Sequence, residues 1–212
     1  MVGLEAFMMP NRDKFASDPF GYSALAFQRW AIIQEMAGFP PSASNALNAD
    51  DLKSPVLWLT HARALSDAAL VVLKATPDFA DLPTSTKGIC DGQYCAVGLM
   101  LVGYSLEVCL KGMLIVAKGV DGYRLEEKKH FNHQLVRLSE FIPNLSKKDK
   151  AILLVLTHFV VWAGRYPDPG SGKESNVEEI FSLSEAHRIS ARDLFDLAGR
   201  VMGHVSTVVN AL

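Results

Sequence analysis

The sequence predicts an all-α bundle of five or six helices. Three observations lead there: apolar residues recur at helical spacing through several long segments, Pro, Gly and Ser-x-x-Asp signals separate those segments, and no run alternates apolar and polar residues between turn dipeptides. The predicted organisation is a single all-α domain over residues 1–212, with 1–50 an N-terminal embellishment carrying an extra helix and 54–212 the core.

Asp18 followed by Pro19 opens the first helix, FGYSALAFQRWAIIQEMA, where Leu25, Trp30, Ile33 and Met36 keep an approximately helical spacing until Gly38 and the pair Pro40, Pro41 stop it. A polar connection, GFPPSASNALNADD, leads to Ser54 and Pro55, which open VLWLTHARALSDAALVVLKAT, closed by Pro77. Residues 78–91 read as another loop, and a long apolar helix is predicted over 94–118. Residues 119–129 read as a charged connection, and HQLVRLSEFI as a helix with Leu135, Leu138 and Ile142 on one face. Ser146 with Asp149 forms a capping box for KKDKAILLVLTHFVVWAGR. After the Pro- and Gly-rich stretch YPDPGSGKESN, Ser190 with Asp193 forms another for ARDLFDLAGRVMGHVSTVVNAL.

With 212 residues, 49% hydrophobic and 21% charged, the chain can bury one well-formed core. A net charge of −2 provides no global basic field, so any nucleic-acid contact must use a local patch. Cys90, Cys95 and Cys109 lack CxxC spacing and read as free thiols of a reducing cytoplasm. No secretory leader is expected from the first residues. The long helix has only 11 apolar residues, 96–106, before Glu107, too few to span a bilayer, so no membrane partner is expected.

At 100° per residue the long helix sorts into faces. Gly98, Val102, Ser105, Cys109, Gly112 and Val116 form a stripe of small residues that lets a neighbouring helix approach closely. Leu99, Leu106, Leu110 and Met113 flank it on one side, and Val97, Leu101, Val108 and Ile115 on the other. This is the apolar-all-round signature of a central helix. The remaining stripe carries Met100, Gly103, Tyr104, Glu107, Lys111, Leu114 and Lys118. Glu107 and Lys111 stand at i and i+4 with the acid first, the favourable order for a pair. They are either a structural ion pair or the rim of a polar cleft.

Together, the LE..LK element at Leu106, Glu107, Leu110 and Lys111, the NHQLVRL element with His133, Leu135 and Leu138, and WAGRYPDP with Arg165, Tyr166 and Pro167 resemble the HEPN (higher eukaryotes and prokaryotes nucleotide-binding) superfamily. The resemblance covers residues 54–212. It implies an up-and-down four-helix bundle that forms a homodimer, and either a metal-independent ribonuclease or a noncatalytic RNA- or nucleotide-binding protein, in a defence or toxin–antitoxin setting. A noncatalytic structural dimer or protein-partner-binding role is the remaining alternative. On this reading Glu107, Lys111, His133, Arg165 and Tyr166 line the ligand site, and no cofactor is needed.

Nuclease members of the family carry an arginine, four to six residues and then a histidine late in the bundle. Here RLEEKKH places five residues between Arg124 and His130, but Leu125 follows the arginine and the pair precedes the H.L helix. RVMGH separates Arg200 and His204 by only three. Arg124 and His130 are thus the catalytic candidates, a histidine serving as acid or base and an arginine stabilising the charged phosphorane-like state. His130 and His133 in HFNH lack the further ligands that a metal site needs. His61 and His158 sit in apolar helices and read as core histidines. PGSGKES lacks both the spacing and the preceding strand of a phosphate loop.

Overall fold

A computed structural model of the chain describes residues 12–24, 26–38, 50–130 and 132–211. Leu25, Pro40 and Pro41, which figure in the first predicted helix, and most of the connection after it lie outside the described residues. The chain divides into two units at Leu57/Trp58, beside the expected end of the N-terminal segment.

The first unit contains α1 (Asp13–Ser17), α2 (Pro19–Ala24), α3 (Ala26–Met36) and a 3-10 turn (Asp51–Lys53). Asp18 caps α2 by accepting from the Gly21 N–H at 2.9 Å, as the Asp-Pro signal predicts. Tyr22 packs edge-on to Phe15, with ring centroids 5.9 Å apart, and carries the Arg29 guanidinium over its face at 4.9 Å.

Helix α4 (Pro55–Lys74) leads into the second unit, whose axis is α5 (Thr84–His130). Then come α6 (Leu135–Leu138), α7 (Lys147–His158) continued by a π turn (Phe159–Ala163), α8 (Ser175–His187) and α9 (Ala191–Val209). Among the described residues there is no strand, as the fold class predicts. Leu106, Leu110, Met113 and Ile115 of α5 are fully buried with Leu135, Leu153, Leu156, Leu197 and Val201, so the long helix is the core of the unit.

The small-residue stripe of α5 faces α4. A Cβ on Gly98 would come within 2.5 Å of Leu73, and one on Gly112 within 3.0 Å of Leu59, so the two helices run antiparallel at close range. The opposite stripe is roofed by α7 and the π turn, with Gly103 lying directly under Val160 and Leu156. By length and composition alone, α4 and α5 are both long and apolar enough to cross a membrane, α5 contrary to the expectation drawn from the short run before Glu107. In α5 the most apolar stretch is 67% buried within the unit, and in α4 only 11%.

The structure corrects four sequence expectations. Helix α5 begins at Thr84 rather than 94, launched from Pro83, whose carbonyl accepts from Thr86 Oγ1 at 2.9 Å. The expected charged connection at 119–129 is helical except at Gly119, where φ 69° and ψ 168° break the axis. Beyond that break, helical spacing pairs Asp121 with Arg124 and brings Glu126 near His130, while Tyr123 anchors the segment in the core at 3% exposure. The expected helix at HQLVRLSEFI shrinks to Leu135–Leu138, because Pro143 restricts Ile142 and Asn144 turns left-handed at φ 60°. Finally, α8 occupies residues to which the sequence assigns no helix. It has no side-chain N-cap, and it ends on a left-handed Arg188 (φ 46°) where a glycine would have signalled the stop.

Both predicted capping boxes form. Ser146 accepts from the Asp149 N–H at 3.1 Å and Asp149 accepts from the Ser146 N–H at 2.8 Å, and Ser190 and Asp193 repeat the arrangement. Arg200 of α9 also donates to Asp149, tying α9 to the start of α7. Burial alone would raise the Asp149 pKa, but the Arg200 guanidinium and the Ser146 bonds outweigh it and hold the carboxyl below its ordinary 3.8.

The packing and the Asp149 bonds lead to three expected outcomes. Gly103→Ala would place its Cβ 2.5 Å from Val160 Cγ2 and 3.2 Å from the Leu156 carbonyl; it should cost about 1–3 kcal/mol in urea unfolding. Gly199→Ala, whose Cβ meets nothing within 4 Å, should be neutral or stabilise by up to about 1 kcal/mol. Because folding lowers the Asp149 pKa, its contribution is present above about pH 4 and disappears as pH falls through the lowered folded value. Asp149→Asn should therefore flatten the loss of urea midpoint between about pH 4 and pH 2.

Candidate functional site

Glu107 projects from the middle of α5 beneath the roof of α7 and is 5% exposed. Its carboxylate is shared: Oε1 accepts from Lys111 Nζ at 2.7 Å and Oε2 accepts from His133 Nδ1 at 2.8 Å. Lys111 is itself only 9% exposed, so the predicted i,i+4 pair forms as a buried pair. A buried charge of either sign needs such partners to offset its desolvation. Tyr104, one turn earlier, packs its ring edge-on to His133 at 6.1 Å.

Local bonds aim His133. The Asn132 side chain donates to the Lys129 carbonyl at 2.7 Å and accepts from the Gln134 N–H at 3.0 Å, linking the end of α5 to the start of α6. The Leu135 N–H donates to Thr157 Oγ1 at 3.2 Å, and that hydroxyl donates to the Leu153 carbonyl at 2.9 Å, fixing α6 against α7. His133 keeps 44% of its side chain exposed and is the member of the cluster that reaches solvent.

Arg165 and Tyr166 stand elsewhere. They line a groove of ≈590 Å³ whose opposite wall is the α5 segment with Gly88, Gly92, Gln93 and Ala96, about three to five turns before Glu107. The Arg165 guanidinium lies over the Tyr166 ring at 5.2 Å, and Tyr166 is 54% exposed. Of the five predicted ligand residues, the structure thus brings Glu107, Lys111 and His133 together and sets Arg165 and Tyr166 in a separate groove. The π turn shapes that groove: its extra residue per turn carries the chain from α7 to Gly164, where a Cβ would come 2.4 Å from Met100. Trp162 forms a wall and donates from Nε1 to His158 Nδ1 at 3.3 Å, while His158 Nε2 bonds Glu179 at 2.9 Å. His158 is therefore a satisfied histidine, as expected, whereas His61 is exposed rather than in the core.

Arg124 and His130 diverge. Six residues apart on one helical segment, they point about 120° away from each other. Arg124 is half exposed beside Asp121 at 3.9 Å, and the His130 ring stacks on Tyr123 at 5.6 Å. Arg200 is held by Asp149, and His204 packs against Phe141 with ring centroids 6.4 Å apart. Cys109 is buried, and burial raises its thiol to about 11, which suppresses the thiolate. Gly170 and Gly172 adopt left-handed φ of 94° and 78°, a turn ahead of α8.

Sequence reasoning missed Gln93 and Trp162. Gln93 falls just after a segment read as loop, and Trp162 was legible as a neighbour of Arg165 once the helix is known to run on into a π turn. Fold and site together define an all-α protein organised around a buried carboxylate shared by a lysine and a histidine. No family model, curated protein or solved structure matches the chain.

Breaking the cluster should cost more than replacing it. Glu107→Ala leaves Lys111 buried without its counter-charge and should destabilise by about 3–5 kcal/mol. The double variant Glu107→Leu/Lys111→Met should recover most of that in urea titration.

Proposed function

We propose that the chain is a nucleotide- or RNA-binding module of the HEPN type, with a four-helix core and a second copy as partner, acting in the cytoplasm without catalysis of its own. The observation that supports this best is the Arg165–Tyr166 pair at the lip of the ≈590 Å³ groove. An exposed phenol ring offers a face on which a nucleobase stacks whatever its identity. The guanidinium beside it presents a planar set of donors suited to a phosphate. Gly88, Gly92 and Ala96 leave the opposite wall low, so a flat ring can come close to the helix, and the Gln93 amide can both donate to and accept from a base edge.

The buried cluster takes a supporting part in this reading. Glu107 and Lys111 are covered and anchor α5, α6 and α7, leaving His133 as their one group open to solvent. The net charge of −2 favours a short ligand held locally over a long duplex. No observation favours the ribonuclease alternative, since Arg124 and His130 of one chain do not face a common point.

The reading is tested by fluorescence anisotropy with a labelled ten-nucleotide single-stranded RNA at low salt. Tyr166→Ala should weaken binding by about 5- to 150-fold, the equivalent of one stacked base. Arg165→Ala should lower the slope of log affinity against log salt by about 0.7. Parent-like binding by both variants would reject the groove as the ligand site.

A further inference from the structure

A separate pocket forms where the segment of α5 after Gly119 meets α6. It has a volume of ≈330 Å³ and is lined by Lys118, Glu126, Lys129, His130, Arg137 and Glu140. The stripe of α5 that carries Glu107 and Lys111 enters it at Leu114 and Lys118. With Val97 on the wall of the Arg165 groove and Leu114 in this pocket, the two lie roughly 26 Å apart along the helix axis.

Three permanent cations line the pocket against two carboxylates, before any charge on His130 is counted. Lys118 and Glu126 pair with each other. The Lys118 ammonium chiefly, helped by Lys129, holds the Glu126 carboxyl below its ordinary range. Arg137, exposed on α6, makes no ion pair with any described residue. Lys129 reaches no described carboxylate within ion-pair distance. The His130 ring is fixed against the buried Tyr123, and its Nε2 turns to Glu126 Oε2 at 3.4 Å, a long contact at the pocket wall. The floor, Leu114 and Leu138, is apolar and nearly fully buried, which strengthens any charge–charge attraction above it.

We infer that this pocket binds a small anion bearing clustered phosphate oxygens, gripped by Arg137 and Lys129, with Lys118 and His130 at its inner wall. Its volume admits a phosphorylated sugar or a di- or triphosphate group and excludes an oligonucleotide chain. Two sources present that chemistry, a free nucleotide and the 5′ end of a triphosphorylated RNA. The inference does not rest on the Arg165–Tyr166 groove.

Isothermal titration of the full chain with pyrophosphate tests it. Binding should weaken at least about five-fold in Arg137→Ala and in Lys129→Ala, each a loss of about 1 kcal/mol or more, while Arg137→Lys retains part of the affinity. Glu126→Gln should tighten binding, because it removes a repelling carboxylate and releases Lys118. Arg165→Ala should leave pyrophosphate binding unchanged, which separates this site from the groove. The His130 ring nitrogens should shift in 15N NMR on saturation. Displacement of pyrophosphate by ATP assigns the site to nucleotides; displacement by 5′-triphosphate RNA, with no effect of 5′-hydroxyl RNA, assigns it to RNA ends. Absence of binding at millimolar pyrophosphate, or the same affinity in parent, Arg137→Ala and Lys129→Ala with native circular dichroism, overturns the inference.

Discussion

The carboxylate of Glu107 is the constraint on which the second unit depends. It is buried in the middle of the central helix, and both of its oxygens are committed, one to Lys111 on the same helix and one to His133 before α6. A carboxylate in that position cannot be left half satisfied, so the segment carrying His133 must return to it. That return fixes where α6 starts, and Thr157 then locks α6 to α7 through the Leu135 N–H. The cluster therefore converts a local i,i+4 pair into a tie across three helices.

Around that tie the two long faces of α5 do different jobs. The small-residue face admits α4 at close range, and the face with Gly103 admits α7 and its π turn. What the roof leaves uncovered at either end becomes concave: the Arg165–Tyr166 groove lies toward the start of α5, and the basic pocket lies past Leu114. Most of the polar chemistry that reaches solvent is found at these ends, while the middle, apart from the exposed edge of His133, is committed to stability.

The parts of this arrangement written in local signals were legible in the sequence. The Ser146 and Ser190 capping boxes, the start of α2 at Asp18-Pro19, the small stripe and the order of Glu107 before Lys111 all depend on residues within a turn of one another. Even the contact of His133 with Glu107 was within reach, since a buried acid with one lysine still has an oxygen to satisfy. Less legible was whatever depends on chain direction. Arg165 matches a motif beside the cluster, but the π turn and the roofing of Gly103 by Val160 deliver it to an earlier turn of α5. The helix at 120–130 looked like a connection because its composition is charged, whereas its fate is set by Tyr123, whose ring packs near Trp58 at 6.4 Å and whose hydroxyl is pushed up to about 12 by burial and by Glu127 and Glu107. The basic pocket was only half legible: Lys129 and His130 belong to the charged run that the sequence shows, but Lys118 and Arg137 join them only after the axis of α5 breaks.

That break has a consequence for the reach of the central helix. With Gly119 in the ordinary helical region, α5 would be one rod of roughly 70 Å, 47 residues at 1.5 Å each. Tyr123, now buried at 3% exposure, would then be carried out of the core, and His130 with it, because the two rings stack on each other. A single glycine with positive φ thus decides whether the last eleven residues of α5 pack back on the core or run out from it.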